Sequence, residues 1–457
     1  MKGRITKEQR RRVLEMLDEG ADRLSIASTL GISVAQVAAI SAHRTMGTYT
    51  SVPPSLSPKP RKELPFPLSW RRNSPEIKPA HGHVVPLGVE ADERQIVTWD
   101  LHASTNPHVL ILGESGFGKT YAVTRLITEL AGIHLPSIVF DYGQGFSAQQ
   151  TSSLFRKSVK IVELQLCRDG IGLNPLQIFP VDTHGPATVA QRVADTFVRV
   201  YPRLGVQQHA VLRRAVLELL RDAGVNAEDP RTWGLQPPPF RDLEEKLNEY
   251  TATGDLATRR AAASAGPHIS TLFFFNTFRK TGHPLSWSDL LTDMVQVWIL
   301  QLIGLEASVE RAVTEFLLWS LVRYFEVLGP GPLRCFVVLD EAHKLAFGPG
   351  SPVEKILREG RKFGLGMILA SQQPEDFSTV AFSNTATKIV FQVGDRSGQI
   401  ARQLHKKVTN GHSFEYIARA ISTLPRGSAY VVTSNTGKVT RMFSFEERQP
   451  LGGTDTS

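Results

Sequence analysis

Eight residues, GESGFGKT from Gly113 to Thr120, constrain this chain of 457 residues more than any others. They follow the apolar run His108-Val109-Leu110-Ile111-Leu112 and lead into a helical stretch from Tyr121 to Ala131. A strand that ends in a glycine-rich turn and feeds a helix aims several backbone N–H groups, and the positive end of the helix dipole, at one point. A polyphosphate fits there. Gly113 and Gly118 stand where a side chain would block the turn or the approach of the phosphates, with Glu114, Ser115, Gly116 and Phe117 as the backbone between them. In this spacing Lys119 reaches the β- and γ-phosphates and the hydroxyl of Thr120 ligates Mg²⁺, so ATP and Mg²⁺ are the expected cofactors.

The other half of such a site is expected further on. Arg334 to Glu341, RCFVVLDE, reads as a buried strand that delivers Asp340 to the Mg²⁺ shell and points Glu341 at the water attacking the γ-phosphate. Alone this pattern is common; after a phosphate loop, with strands between, it is specific. A helix from Pro352 to Phe363 carries Arg358, Arg361 and Lys362, and a strand from Leu365 to Ala370 ends in Ser371-Gln372. An amide at that strand end can hold the lytic water or sense the γ-phosphate, or it can satisfy its own loop. Asp141, at the tip of the strand Pro136 to Asp141, is either a further site residue or a cap for the turn Tyr142-Gly143-Gln144-Gly145.

The pattern predicts an α/β fold with a small all-α domain before it. Residues 6 to 44 read as three short helices, Lys7 to Leu17, Arg23 to Leu30 and Ser33 to His43, with Asp22 and Ser33 as N-caps and Gly20 and Gly31 as stops. Ala27, Gly31 and Val37 have the spacing of a helix-turn-helix, whose second helix enters the DNA major groove. Its exposed candidates are Ser33, Gln36, Ser41 and Arg44, and a module that binds protein fits the same pattern. Residues 49–80 form a linker: Thr48 to Pro79 holds eight prolines and six basic residues. A helical insertion is expected over 187–265 inside the 81–445 domain, with helices Ala187 to Tyr201, Gln207 to Asp222, Phe240 to Tyr250 and Leu256 to Ala265. Residues 428–433 and 438–443 read as a closing hairpin, and 446–457 as a disordered tail.

Of the net charge of +8, residues 1–80 carry +7, with fourteen Lys and Arg against seven Asp and Glu. Charge gathered at one end reads as an arm facing a polyanion, or as a solubilising tail. No apolar run reaches the ~18 residues of a membrane span, and Cys167 and Cys335 have no metal-ligand spacing. A cytoplasmic location is expected.

With these elements in place, the chain resembles the HerA-FtsK superfamily of RecA-like motor ATPases, and within it the HerA-type (DUF87-like) side. The resemblance covers about residues 81–445. It rests on GESGFGKT (113–120), FDYGQGF (140–146), GLNPL (172–176), VVLDEAHKL (337–345) and LREGRKFGLGMILASQQPEDF (357–377). It implies a RecA-like core and a homohexameric ring that hydrolyses ATP between subunits and pulls double-stranded DNA through its pore. Arg358 or Arg361 would then be the finger reaching a neighbour's γ-phosphate, and Gln372 the sensor. Relatives often have Arg after that Gln, where this chain has Gln373, and the small N-terminal β-barrel of HerA proteins is not evident.

The leading expectation is therefore an ATP-driven DNA translocase or helicase, working with a separate nuclease in DNA end processing or phage defence. The alternative is a type IV secretion or conjugation motor that moves protein or nucleoprotein. Glu341 argues against an ATP-bound switch, which needs no general base.

Overall fold

The computed structural model describes residues 7–19, 21–45, 84–92, 95–279, 281, 285–291, 296–345, 347–372, 379–445 and 447. The chain divides into two compact units, Met1–Asn73 and Ser74–Ser457. The linker expected at 49–80 lies outside the described residues.

In the first unit, α1 (Lys7–Asp18), α2 (Arg23–Leu30) and α3 (Val34–Thr45) close on Val13, Leu14, Ile26, Ala27, Val37 and Ile40. Asp22 caps α2 by accepting from the N–H groups of Leu24 and Ser25, and Gly31 ends it at φ 63°. Ser33 and Gln36 cap α3 reciprocally: Ser33 Oγ accepts from the Gln36 N–H, and Gln36 Oε1 accepts from the Ser33 N–H. Ser41 Oγ accepts from Arg23. Three of the four side chains expected to face a groove are thus engaged within the unit. The side chain of the fourth, Arg44, lies outside the described residues.

The second unit is built on one eleven-stranded sheet. Its first elements are β1 (Val84–Glu90), β2 (Ile96–Asp100), β3 (Val109–Leu112), α4 (Lys119–Gly132), β4 (Ser137–Asp141), α5 (Ser153–Ser158), β5 (Ile161–Gln165) and α6 (Leu166–Asp169). The helical insertion follows as α7 (Pro186–Val200), α8 (Val206–Asp222), α9 (Asp242–Thr253) and α10 (Leu256–Phe275). The chain returns through β6 (Val297–Gln301), α11 (Ala307–Leu328), β7 (Cys335–Leu339), α12 (Pro352–Phe363) and β8 (Leu365–Ser371). It ends with α13 (Thr379–Asn384), β9 (Thr387–Val390), α14 (Gln399–His405), α15 (Phe414–Thr423), β10 (Ser428–Thr433) and β11 (Thr436–Met442).

The strand order is β2-β1-β11-β10-β9-β3-β8-β7-β4-β6-β5. From β9 to β5 every neighbouring pair is parallel, and the remaining pairs are antiparallel. The expected entry strands and closing hairpin thus join into a single antiparallel extension. Side chains alternate between two buried layers, as strand geometry requires. Leu110, Leu112, Ile138, Phe140, Val337 and Leu339 pack under the insertion, α11 and α12. Val109, Ile111, Val139, Phe336 and Val338 pack under α4 and α5. This arrangement is the mixed α/β fold, with a predominantly parallel sheet, that the sequence predicts.

One expectation is corrected. Helix α10 runs on to Phe275 with Pro267 inside it, ten residues past Ala265, because Ile269, Leu272 and Phe273 bury one face against the core. That packing outweighs the break a proline favours. Of the tail expected over 446–457, Glu447 is described: it pairs with Arg441 at 2.7 Å and accepts from the Ser444 N–H, and the remainder of the tail lies outside the described residues.

Candidate active site

The strand ends meet along one edge of the sheet. Leu112 pairs with Ser371 on one side and Val390 on the other, and Leu339 pairs with Leu369 and Phe140. This register brings Gly113, Asp141, Asp340 and Gln372 to the carboxyl edge of adjacent strands, where open α/β sheets bind ligands.

The loop 113–118 is wedged against its neighbour. A Cβ on Gly113 would fall 2.6 Å from the Cβ of Phe391, and the Glu114 N–H donates to the Gln392 carbonyl. Gly118, at φ 114°, caps the fourteen-residue α4, whose first-turn N–H groups open toward the loop. Lys119 is buried, and its amine donates to the Glu114 carbonyl at 2.9 Å across the loop. Burial lowers its pKa, against the opposing pull of Glu341, Asp340 and Glu114.

Asp340 leaves β7 buried at the edge. Its pKa is pushed up to about 7, first by burial and then by Glu341 and Asp141, with Lys119 opposing. A Cβ on Gly145 would lie 3.2 Å from Asp340 Oδ2 and 3.3 Å from Thr120 Cγ2, so these two side chains approach one another beside that glycine. Among the described residues no group of three or more His, Cys, Asp or Glu could hold a metal ion. A buried carboxylate crowded by like charge, beside a threonine hydroxyl, nevertheless fits Mg²⁺, which takes one or two protein ligands and completes its shell with water and phosphate.

Glu341 has φ 58°, a left-handed conformation uncommon for a residue with a side chain. Its carboxylate is gripped from two directions. Gln372 Nε2 donates to Oε1 at 2.6 Å, and His343 Nδ1 stands 3.2 Å from Oε2 and 3.2 Å from Ser371 Oγ. Asp141 does what the capping alternative required: it accepts from the N–H groups of Gly143, Gly145 and Phe146 and from Gln301 Nε2.

The two arginines of α12 lie elsewhere. Arg358 pairs with Glu354 at 2.8 Å, and Arg361 donates to the Thr105 carbonyl; both are exposed. Among the described residues neither forms an ion pair with Asp340 or Glu341. Gln373 lies outside the described residues.

Two residues of this edge carry no role in the sequence reading. His343 is visible in the string Asp340-Glu341-Ala342-His343 but has no expected partner. Arg426 precedes β10, and its guanidinium stands beside the phosphate loop, 3.2 Å from where a Cβ on Gly116 would lie.

This fold and edge define a RecA-like P-loop nucleoside triphosphatase architecture. Residues 85–321 match the family of the helicase HerA central domain, DUF87, and the chain belongs to that family. It is 32% identical over 355 residues to the DNA double-strand break repair helicase HerA of Sulfurisphaera tokodaii, covering 73% of this chain and 63% of that protein. It is 28% identical over 124 residues to the protein of the same name from Sulfolobus acidocaldarius, covering 26% and 24%. The chain therefore spans less than two thirds of the length of these relatives. Among solved structures it resembles VirB4 of Thermoanaerobacter pseudethanolicus, with a TM-score of 0.64 and 19% identity, covering 80% of this chain and 97% of that one. It also resembles the bacterial conjugative coupling protein TrwB, with a TM-score of 0.54 and 16% identity, covering 80% and 89%. These two likenesses concern the fold alone.

Proposed function

We propose that this chain is an ATP-dependent translocase or helicase for double-stranded DNA, of the HerA type. The observation that carries the proposal is the convergence of Lys119, Asp340, Glu341 and Gln372 on one sheet edge in a chain of the HerA central-domain family. The DNA-repair name of the Sulfurisphaera relative supplies the substrate class.

In this reading Gly113, Glu114, Ser115, Gly116, Phe117, Gly118, Lys119 and Thr120 bind the triphosphate, and Thr120 and Asp340 hold Mg²⁺. The metal supplies charge neutralisation of the phosphates. Glu341, held by Gln372 and His343, orients and deprotonates the attacking water, and Gln372 senses the γ-phosphate through that same bond. Arg361 or Arg358 lies away from the Glu341 edge of its own subunit and acts on the neighbour's, which requires a ring, proposed to be a hexamer, to complete each site. An arginine so placed is worth roughly 10³ to 10⁵ in rate. The N-terminal helices and the basic 49–80 segment contact DNA, and a separate nuclease acts on what the motor delivers, in end processing or phage defence.

Steady-state ATP turnover with no polymer, double-stranded DNA, single-stranded DNA and RNA tests this. Stimulation by double-stranded DNA is expected. Turnover indifferent to all three polymers would favour a motor for protein or nucleoprotein, the reading to which the likeness to VirB4 and TrwB gives a fold but no substrate.

A further inference from the structure

Arg426 occupies the middle of a tight turn. The Ser428 N–H donates to the Pro425 carbonyl at 3.0 Å, and Gly427 has φ 77°. A positive φ at the third residue of a four-residue turn is the pattern of type II, which favours glycine there. The second residue is Arg426, and it is exposed.

Two backbone bonds fix this turn in place. The Gly427 N–H donates to the carbonyl of Phe117 in the phosphate loop at 3.3 Å, and the Gly427 carbonyl accepts from the Met442 N–H at 2.9 Å. The turn is thus clamped between the loop and β11. Its arginine lies against the loop's crown, with Nη2 3.2 Å from a Cβ position on Gly116. Among the described residues the guanidinium has no hydrogen-bond or ion-pair partner. Guanidinium groups usually pair where a carboxylate is in reach, and planar bidentate pairing with phosphate is the other use of such a group.

We infer that Arg426 binds the polyphosphate of the nucleotide in cis, from its own subunit. The backbone N–H groups of a phosphate loop cradle the α- and β-phosphates, so the contact falls on the β-phosphate and serves ATP and ADP alike. Because the Gly427 carbonyl accepts from Met442 of β11, a displacement of β11 would pull the turn and its guanidinium relative to the loop. The inference rests on the nucleotide-binding reading of residues 113–120.

The experiment is competition of ATP, ADP and AMP against a fluorescent ADP on the full-length chain, for the wild type, Arg426→Ala, Arg426→Lys and Lys119→Ala, with the melting temperature of each. Arg426→Ala is expected to weaken ATP and ADP by about tenfold or more, the scale of a charge-assisted hydrogen bond. AMP binding and the melting temperature should be unchanged, and Arg426→Lys should recover part of the loss. Unchanged ATP and ADP affinity in Arg426→Ala, with binding abolished in Lys119→Ala, would overturn the role of Arg426 and leave the phosphate loop standing. Equal weakening of all three nucleotides with a lower melting temperature would make Arg426 a structural part of the turn and also overturn it. Wild-type protein that binds no nucleotide would remove both readings.

Discussion

The side-chain amide of Gln372, one residue past the end of β8, donates to the carboxylate of Glu341, two residues past the end of the neighbouring β7, at 2.6 Å. The acceptor residue is itself held at φ 58°. The amide proposed to report the γ-phosphate and the carboxylate proposed to address the water are therefore one bonded unit, and a left-handed backbone at a residue with a side chain is the kind of strain that functional sites retain.

Two substitutions separate the partners of that unit. Glu341→Gln keeps the shape and removes the base, so kcat should fall by about 10² to 10⁴ with ATP affinity intact. Gln372→Ala frees the carboxylate to turn away, and kcat should fall by about tenfold or more, the scale of a hydrogen bond to a charged group. Single-turnover hydrolysis alongside equilibrium ATP binding checks both. A Gln372→Ala protein that turns over normally would reduce the bond to a local contact.

If Arg361 is the proposed finger on a neighbour's nucleotide, Arg361→Ala should abolish turnover, by about 10³ or more, and spare ATP binding. Among the described residues the contact it loses is one donation to the Thr105 carbonyl at an exposed site, so the melting temperature should barely move. Normal turnover would transfer the role to Arg358 or remove it from α12.

Lys388 predicts a pH effect. It is buried in β9, donates to the Thr385 carbonyl, and lies 5.0 Å from the centre of the Phe382 ring. Burial, with Lys407 adding to it, lowers its pKa to about 7, whereas an unfolded lysine titrates near ~10.4. Between these values the unfolded state binds more protons, so stability should rise with pH at up to about 1.4 kcal/mol per unit. Below about pH 7 both states are protonated, and the full penalty of the buried charge remains. Urea midpoints for the wild type should therefore increase from pH 7 to pH 9. Lys388→Met should be more stable than the wild type at pH 7 and show a flatter profile. A wild-type profile already flat over that range would contradict the lowered pKa.

DNA affinity should be electrostatic, with a log-log salt slope of about −0.9 per phosphate neutralised. Removing residues 1–80 takes away seven of the eight net positive charges. Titrations of double-stranded DNA at several salt concentrations should give a shallower slope for the shortened chain. An unchanged slope would assign the basic arm to a partner other than DNA.

What the sequence disclosed and what it hid divide along the range of the interactions. The bounds of α12, Pro352 to Phe363, were legible because they are written locally: Ser351 caps the helix, Pro352 opens it, and Gly364 closes it at φ 82°. The phosphate loop and the strand carrying Asp340 are local in the same sense. The bond from Gln372 to Glu341 depends on strands β7 and β8 lying side by side, and the approach of Arg426 to Gly116 on a turn distant in sequence, so neither has a local signature. Helix α10 outran its proline because of contacts made by its far end. Ser33 is legible as an N-cap, whereas the return bond that engages the Gln36 side chain is visible only in the structure.

The most direct test of a DNA motor is displacement of a third strand bound to a linear duplex, followed in time with ATP present. Wild-type protein should strip the third strand at a delay that grows with its distance from the duplex end, and Glu341→Gln, though it binds ATP, should not. ATP hydrolysis without displacement at any distance would contradict translocation on double-stranded DNA.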